Sequence, residues 1–159
     1  MGYKIFLSHS KADVQWVKWI SQHAQAVGIA VYLYEHDPQP GRLIADKVKL
    51  AIQDSDALVV LLTANSQFSP YVQQEIGFAE ASKKLIIPLV QPGIQAASLA
   101  MLEGREGVPF DFRNPQQALL TLLPRLQGLK LFKERQDAVL GLLVVGVIVV
   151  AALLLGGEG

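Results

Sequence analysis

Short apolar runs alternate with helix-like periodicity along the first 127 residues. Four runs are apolar at nearly every position and predict buried strands: residues 4–7, 29–34, 57–62 and 85–90. Between them, apolar residues recur at three- and four-residue spacing and predict helices, as in the sets Trp16, Ile20, Ala24, Val27 and Ile44, Val48, Ile52. Strands that are apolar throughout and alternate with helices are typical of a parallel sheet covered on both faces.

The best-defined helix starts at residue 69. Ser69 is a residue type that caps helices, and Pro70 suits the first helical position, where a missing N–H costs nothing. Lys83 and Lys84 are predicted to lie in the last turn, where the helix dipole favours cations. One stripe of the helix is apolar and should face the core: Val72, Ile76 and Ala79.

Tyr71 and Glu75 lie one turn apart on the neighbouring stripe of this helix, which need not be buried. In parallel α/β sheets, ligands bind at the carboxyl ends of the strands. Those ends are predicted at residues 8–10, 35, 63 and 91, and Glu75 belongs to the second turn of the helix after strand three. The sequence therefore predicts a carboxylate near the ligand edge of the sheet.

Less distinct signals complete the domain. Ser10 and Asp13 have the spacing of a capping box before the first helix. A short helix is predicted around residues 98–102, a fifth, edge-like strand over residues 108–112, and a closing helix over residues 115–126.

A twenty-residue stretch without charge, residues 138–157, follows the predicted domain. As a helix it is roughly 30 Å long, which is enough to cross a bilayer. Lys130, Lys133 and Arg135 precede it, so the positive-inside rule places residues 1–137 in the cytoplasm. We expect a domain over residues 1–127, a juxtamembrane segment over 128–137 and a single-pass, C-terminal membrane anchor.

Composition excludes several functions. With 14 Lys and Arg against 14 Asp and Glu, the chain has no basic character and no nucleic-acid motif, so we expect no nucleic-acid partner. Zero cysteines exclude disulfides and thiolate catalysis, and the three histidines are not spaced as metal ligands, so no metal is expected. The chain also lacks the glycine-rich dinucleotide and phosphate loops and the serine nucleophile elbow.

Four segments resemble TIR (Toll/interleukin-1 receptor) domains. Residues 4–10 resemble the first conserved box of that family, and residues 38–41, with their Pro-Gly, resemble the loop of the second box. Residues 69–90 are similar to the segment that houses the catalytic glutamate of the family, and residues 108–111 resemble a weak third box. The match covers roughly residues 3–127 and is most like bacterial TIR proteins.

The resemblance implies a flavodoxin-like fold with a five-stranded parallel sheet. In many members of the family it also implies cleavage of the nicotinamide–ribose bond of NAD+, which is a substrate and not a cofactor. Glu75 falls at the catalytic glutamate, and Tyr71 replaces the tryptophan that usually precedes it by four residues. Ser8 and His9 fall on the strand-one rim that lines the nucleotide site, and Arg42 falls on the second-box loop.

Three functions remain open from the sequence. The first is a membrane-tethered NAD+ hydrolase or cyclase that self-assembly activates in signalling or antiviral defence. The second is a non-catalytic adaptor that binds other TIR domains through the second-box loop. The third makes the apolar tail itself the effector, as a segment that oligomerises and permeabilises the bilayer.

Tyr34 departs from the pattern of the family, which often has an acid at the end of strand two. This departure concerns the orientation of the substrate and not the cleavage chemistry.

Overall fold

The computed structural model describes residues 2–36, 40–95 and 102–156. Its strands are β1 (Tyr3–Ser8), β2 (Ile29–Tyr32), β3 (Ala57–Leu62), β4 (Leu85–Val90) and β5 (Val108–Pro109). Its α-helices are α1 (Val14–Ala26), α2 (Ile44–Gln53), α3 (Pro70–Ala81) and α4 (Gln116–Leu155). The strands are all parallel and form one sheet in the order β2-β1-β3-β4-β5. The predicted flavodoxin-like α/β fold is confirmed.

The central strand β3 shows why the sheet is covered on both faces. All six of its side chains are buried, and successive side chains point to opposite faces. Leu58 and Leu62 pack in one cluster with the buried stripes of α2 and α3. Val59 and Leu61 pack in the other cluster with α1 and the first turns of α4. The two apolar layers hold the sheet and helices as one unit.

Helix α3 begins as the sequence predicts. The Ser69 hydroxyl accepts a hydrogen bond from the Val72 N–H at 3.4 Å, and Pro70 occupies the first turn. The predicted stripe is fully buried. The end of the helix was predicted wrongly: α3 stops at Ala81, and Lys83 adopts a left-handed backbone with φ of 53°. Lys83 and the residue after it therefore form the turn into β4 and not the last helical turn.

Three other predicted elements differ in extent. Strand β2 ends at Tyr32, because residues 34–36 turn into a short 3-10 helix. Strand β5 contains only Val108 and Pro109, as suits an edge strand with a proline. Ile44 is exposed at the start of α2, whereas the other two residues of its predicted stripe are buried. The helix predicted over residues 98–102 lies almost wholly outside the described residues.

Helix α4 does not end at residue 126 as predicted. It continues without a break through the segment expected to separate domain from tail. Pro124 lies inside it and cannot donate a hydrogen bond to the Leu120 carbonyl, but Leu120 is on the exposed face, where water can replace that bond. By length and composition α4 can cross a membrane, and its most apolar part is unburied. The division into residues 1–127, 128–137 and 138–157 stays a prediction.

Candidate active site

Glu75 is held at the carboxyl end of the sheet by the residue that ends β1. The buried Ser8 hydroxyl donates a hydrogen bond to Glu75 Oε2, across 67 positions of sequence. Because β1 lies between β2 and β3 in the sheet and α3 is capped at Ser69, both ends of this contact come from rigid elements. The carboxylate is therefore fixed in position at the ligand edge.

The surroundings of Glu75 favour its neutral form. The pKa of Glu75 is raised from its ordinary value to about 7, mainly by burial and to a smaller extent by the charge of Glu35, while the Ser8 hydrogen bond acts in the opposite direction. A carboxyl group with a pKa near 7 exchanges its proton readily at neutral pH. Such a group is suited to both electrostatic and general-base roles.

A cleft of about 340 Å³ opens beside this carboxyl group. Its walls come from the ends of β1 and β2 and the first turns of α2 and α3: Phe6, Leu7, His9, Ser10, Lys11, Tyr34, Glu35, Ile44, Ala45, Val48, Ser69, Tyr71, Gln74 and Glu75. Tyr71 is 71% exposed and stands at the mouth, one helical turn before the carboxylate. The apolar walls and few charged groups are typical of a small-molecule site.

A second carboxylate, Glu35, also lines the cleft. Its Oε1 lies 2.6 Å from His9 Nε2, while His9 Nδ1 lies 2.9 Å from the Leu7 carbonyl oxygen. Because a carbonyl oxygen can only accept, His9 Nδ1 carries a proton and the ring orientation is fixed. The sequence predicted His9 as a rim residue but did not identify Glu35 as a site residue, although the end of strand two was predicted at residue 35 and the run Glu35-His36-Asp37 places acids there.

The five predicted site residues do not all reach the cleft. Tyr71, Glu75 and His9 line it, and Ser8 lies behind the Glu75 carboxylate as its hydrogen-bond donor. Arg42 is exposed on the loop before α2 and is not among the lining residues. Its role in substrate binding stays a prediction.

A buried polar cluster supports the loops on which the site is built. Asp13 is buried and accepts hydrogen bonds from the Thr63 hydroxyl at 2.6 Å and the Asn65 amide at 2.8 Å. The Ser66 hydroxyl binds the Thr63 N–H and the Leu61 carbonyl in the same cluster. Asp13 therefore fastens the loop after β1 to the loop that leads into α3, and does not close the predicted capping box.

No arrangement of three or more His, Asp or Glu side chains that could hold a metal ion occurs among the described residues. We therefore assign none of these side chains to a metal. The polar groups of the cleft instead form a carboxylate site with an aromatic ring at its mouth.

The site therefore belongs to a parallel five-stranded α/β domain with a carboxylate cleft at its ligand edge. Residues 5–123 match the TIR domain family, and this chain belongs to that family. No curated protein matches the chain at a significant level.

Solved TIR and related structures share the fold. The TIR domain of the Toll-related receptor TRR-2 from Hydra magnipapillata superposes with a TM-score of 0.63 at 15% identity, covering 79% of this chain and 98% of that one. The TIR domains of the activated Roq1 resistosome give 0.60 at 16% identity, covering 78% and 99%. The CMP N-glycosidase BcmB of Clostridium botulinum gives 0.54 at 17% identity, covering 75% and 99%. At such identities the likeness establishes the fold alone.

Proposed function

We propose that this chain is a membrane-anchored NAD+ hydrolase or cyclase that cleaves the nicotinamide–ribose bond. The observation that carries the proposal is the Glu75 carboxyl group, fixed by Ser8 in a cleft with Tyr71 at its mouth. The similarity in fold to an enzyme described as a CMP N-glycosidase agrees with chemistry at an N-glycosidic bond.

The reaction needs few groups because the leaving nicotinamide is already cationic. Its C–N bond to the ribose breaks, the electron pair stays on the nicotinamide nitrogen, and no general acid is required. The ribose becomes oxocarbenium-like, and the Glu75 carboxylate stabilises the developing positive charge. Water, or a hydroxyl oxygen of the same nucleotide, then adds to the anomeric carbon and gives its proton to Glu75; addition of the hydroxyl closes a ring.

Three neighbours assist Glu75 in this proposal. Ser8 holds one carboxylate oxygen and keeps the group oriented toward the cleft. The Tyr71 ring offers a face on which a base of the dinucleotide stacks. Glu35, fixed by His9, offers acceptor oxygens to ribose hydroxyl groups from the opposite wall. Arg42 is proposed to contact substrate only when a neighbouring domain brings its loop close.

The apolar tail and self-association belong to the same proposal. Residues 138–157 anchor the chain in a membrane as a single-pass helix, with the TIR domain in the cytoplasm. Contact with other TIR domains then activates the cleft in signalling or defence. The Roq1 structure, which is described as an activated resistosome, contains TIR domains of the same fold.

The test is NAD+ consumption by the full chain, crowded in proteoliposomes. Wild type should deplete NAD+, and Glu75→Ala should not. Glu80→Ala is the matched control, because Glu80 lies on the same helix but pairs at the surface with Arg105. Intact NAD+ with crowded wild type, or equal depletion by Glu75→Ala, would reject the enzymatic proposal.

A non-catalytic adaptor is the second candidate. Large apolar side chains are exposed at the lining residue Ile44, at 54%, and at two neighbours of lining residues in sequence: Leu43 at 71% and Phe68 at 72%. Such a patch is typical of protein interaction sites. An adaptor predicts that Gly41 or Arg42 substitutions abolish capture of other TIR domains, while Glu75→Ala leaves that capture unchanged.

A further inference from the structure

Helix α4 joins the TIR domain to the apolar tail without a flexible linker. Its first turns are part of the core, where Leu119, Leu122 and Leu126 are buried. The same helix continues to Leu155. Because one helix belongs to both parts, its direction relates the domain to the bilayer.

The contacts of α4 show where it leaves the domain. Lys133 Nζ lies 2.9 Å from the Gly2 carbonyl oxygen and 2.8 Å from Asp56 Oδ1. Gly2 precedes β1 and Asp56 precedes β3, and Lys130 lies against Gly28, which precedes β2. Helix α4 therefore leaves at the amino edge of the sheet, which we define as the first two residues of β1 to β4 and the turns that lead into them.

The cleft lies at the opposite, carboxyl edge. With 1.5 Å of rise per residue, residue 138 is roughly 7 Å beyond Lys133, so the amino edge is the part of the domain closest to the bilayer. The start of α4 at Gln116 is roughly 33 Å from residue 138 along the same axis. The cleft therefore opens away from the lipid.

The amino edge and the adjoining part of α4 carry more positive than negative side chains. The positive ones are Lys4, Lys83, Lys84, Lys130, Lys133 and Arg135. The negative ones are Asp54, Asp56, Glu134 and Asp137. Lys4 pairs with Asp54 at 2.6 Å, Lys133 with Asp56, and Lys130 lies 3.9 Å from Glu134.

The positive charges of this edge lower the pKa of Asp54. A hydrogen bond and the charge of Lys4, with further contributions from Lys84 and Lys133, lower the pKa of Asp54, against a smaller effect of burial. Three lysines from β1, the α3–β4 turn and α4 thus converge on one acid. Asp54, Asp56 and Glu134 each pair with a lysine of the same surface, so the charges outside these pairs are Lys83, Lys84 and Arg135 against Asp137.

Lys83 supplies a further observation. It is exposed and holds a left-handed backbone in which an L-residue other than glycine is strained, typically by about 1–2 kcal/mol. Glycine would fit this turn without strain, but it would remove a charge that projects from the membrane-facing edge. The turn thus keeps a cation at a conformational cost.

We propose that the amino edge of the sheet docks on anionic phospholipid headgroups and holds the domain upright, with its cleft facing away from the bilayer. This rests on the membrane anchoring proposed above. Each Lys or Arg near an anionic surface contributes about 1 kcal/mol. Because the tail already confines the domain to the membrane, the lipid contacts need only select one orientation.

The absence of cysteine permits a direct test on the full chain in lipid nanodiscs. One fluorophore is attached at Gln53→Cys, exposed at the amino edge, or at Ala64→Cys, exposed at the carboxyl edge. Quenching by headgroup-labelled lipid is measured with phosphatidylcholine alone and with added phosphatidylglycerol. We expect stronger quenching at position 53 than at position 64, and an increase at position 53 when the anionic lipid is added.

A charge reversal tests whether the positive charge of Lys83 causes the docking on anionic lipid. Lys83→Glu should reduce the docked fraction roughly fivefold or more in the anionic nanodiscs. Lys18→Glu, the same change on the exposed face of α1, should leave it unchanged. Equal quenching at the two labels, stronger quenching at position 64, or quenching insensitive to both phosphatidylglycerol and Lys83→Glu would overturn the proposal.

Failure of the anchor gives a different result from failure of docking. A chain that does not float with liposomes is not membrane-anchored, and the anchoring proposal and the docking proposal are then both rejected. A chain that floats with liposomes but shows no preference between the two labels loses only the docking proposal. NAD+ consumption is measured independently of either outcome.

Discussion

The pKa of Glu75 makes stability depend on pH in an unusual direction. Burial raises this pKa from 4.5 to about 7. Between these values the folded chain holds a proton that the unfolded chain has released, so the free energy of unfolding falls as pH rises through that window and levels off above it. Most salt-bridged carboxylates have the opposite effect.

Glu75→Gln removes this dependence with little change of shape. The amide keeps an oxygen that accepts the Ser8 hydrogen bond, but it cannot ionise. Since each pH unit is worth about 1.4 kcal/mol, the ionised carboxylate costs the folded state about 3.5 kcal/mol at most above pH 7, and less where water enters the cleft. For a domain of this size that corresponds to a rise in Tm of at most roughly 13 °C.

Thermal unfolding of the full chain in micelles measures the effect. Trp16 packs against Phe110 and Phe112 in the core, so its fluorescence reports unfolding of the domain. The two proteins should have similar Tm near pH 4.5 and diverge as the pH approaches and passes 7, with Glu75→Gln the more stable. Glu80→Gln, on the exposed side of α3, should follow the wild-type profile. Parallel profiles for wild type and Glu75→Gln would refute the assignment of a raised pKa to this residue.

Three further predictions follow from the contacts of the site. Ser8→Ala removes the hydrogen bond that lowers the pKa of Glu75, so the pH profile of NAD+ cleavage should move to higher pH. Asp13→Ala leaves the buried Thr63 hydroxyl without its acceptor and should lower the free energy of unfolding by about 2–3 kcal/mol in denaturant titrations. Tyr71→Ala should raise KM for NAD+ by roughly fivefold or more through lost stacking, whereas Tyr71→Phe should change it little.

Each of these has a contrary result. An unshifted profile in Ser8→Ala would separate the hydroxyl from the ionisation of Glu75. Wild-type stability in Asp13→Ala would show that the buried cluster is not held together by that carboxylate. An equal rise in KM in Tyr71→Phe and Tyr71→Ala would assign the effect to the hydroxyl and not to the ring.

Local sequence signals were sufficient for most of the fold. The apolar runs gave β1, β3 and β4 to within a residue, because a buried parallel strand needs apolar side chains at every position. The start of α3 was also predictable, since Ser69 and Pro70 act within one helical turn. The position of Glu75 near the ligand edge was also predictable, because it lies in the second turn of the helix that follows strand three.

Features that depend on distant partners were not predictable in this way. The capping-box spacing of Asp13 is local, but its carboxylate binds Thr63, fifty positions away. The contact of Glu35 with His9 likewise requires β1 and β2 to be adjacent. The closing helix was predicted to end at residue 126, yet α4 continues to Leu155, and buried leucines on either side of Pro124 stabilise the helix through the proline.

The most direct measurement of the central claim is the release of free nicotinamide from ring-labelled NAD+ by the full chain, concentrated in nanodiscs. Wild type and Glu80→Gln should release nicotinamide at the same rate, and the rate should rise with pH toward a plateau above about 7, as Glu75 ionises. Glu75→Gln should release none above the rate without protein. Nicotinamide release by Glu75→Gln at the wild-type rate would contradict the account.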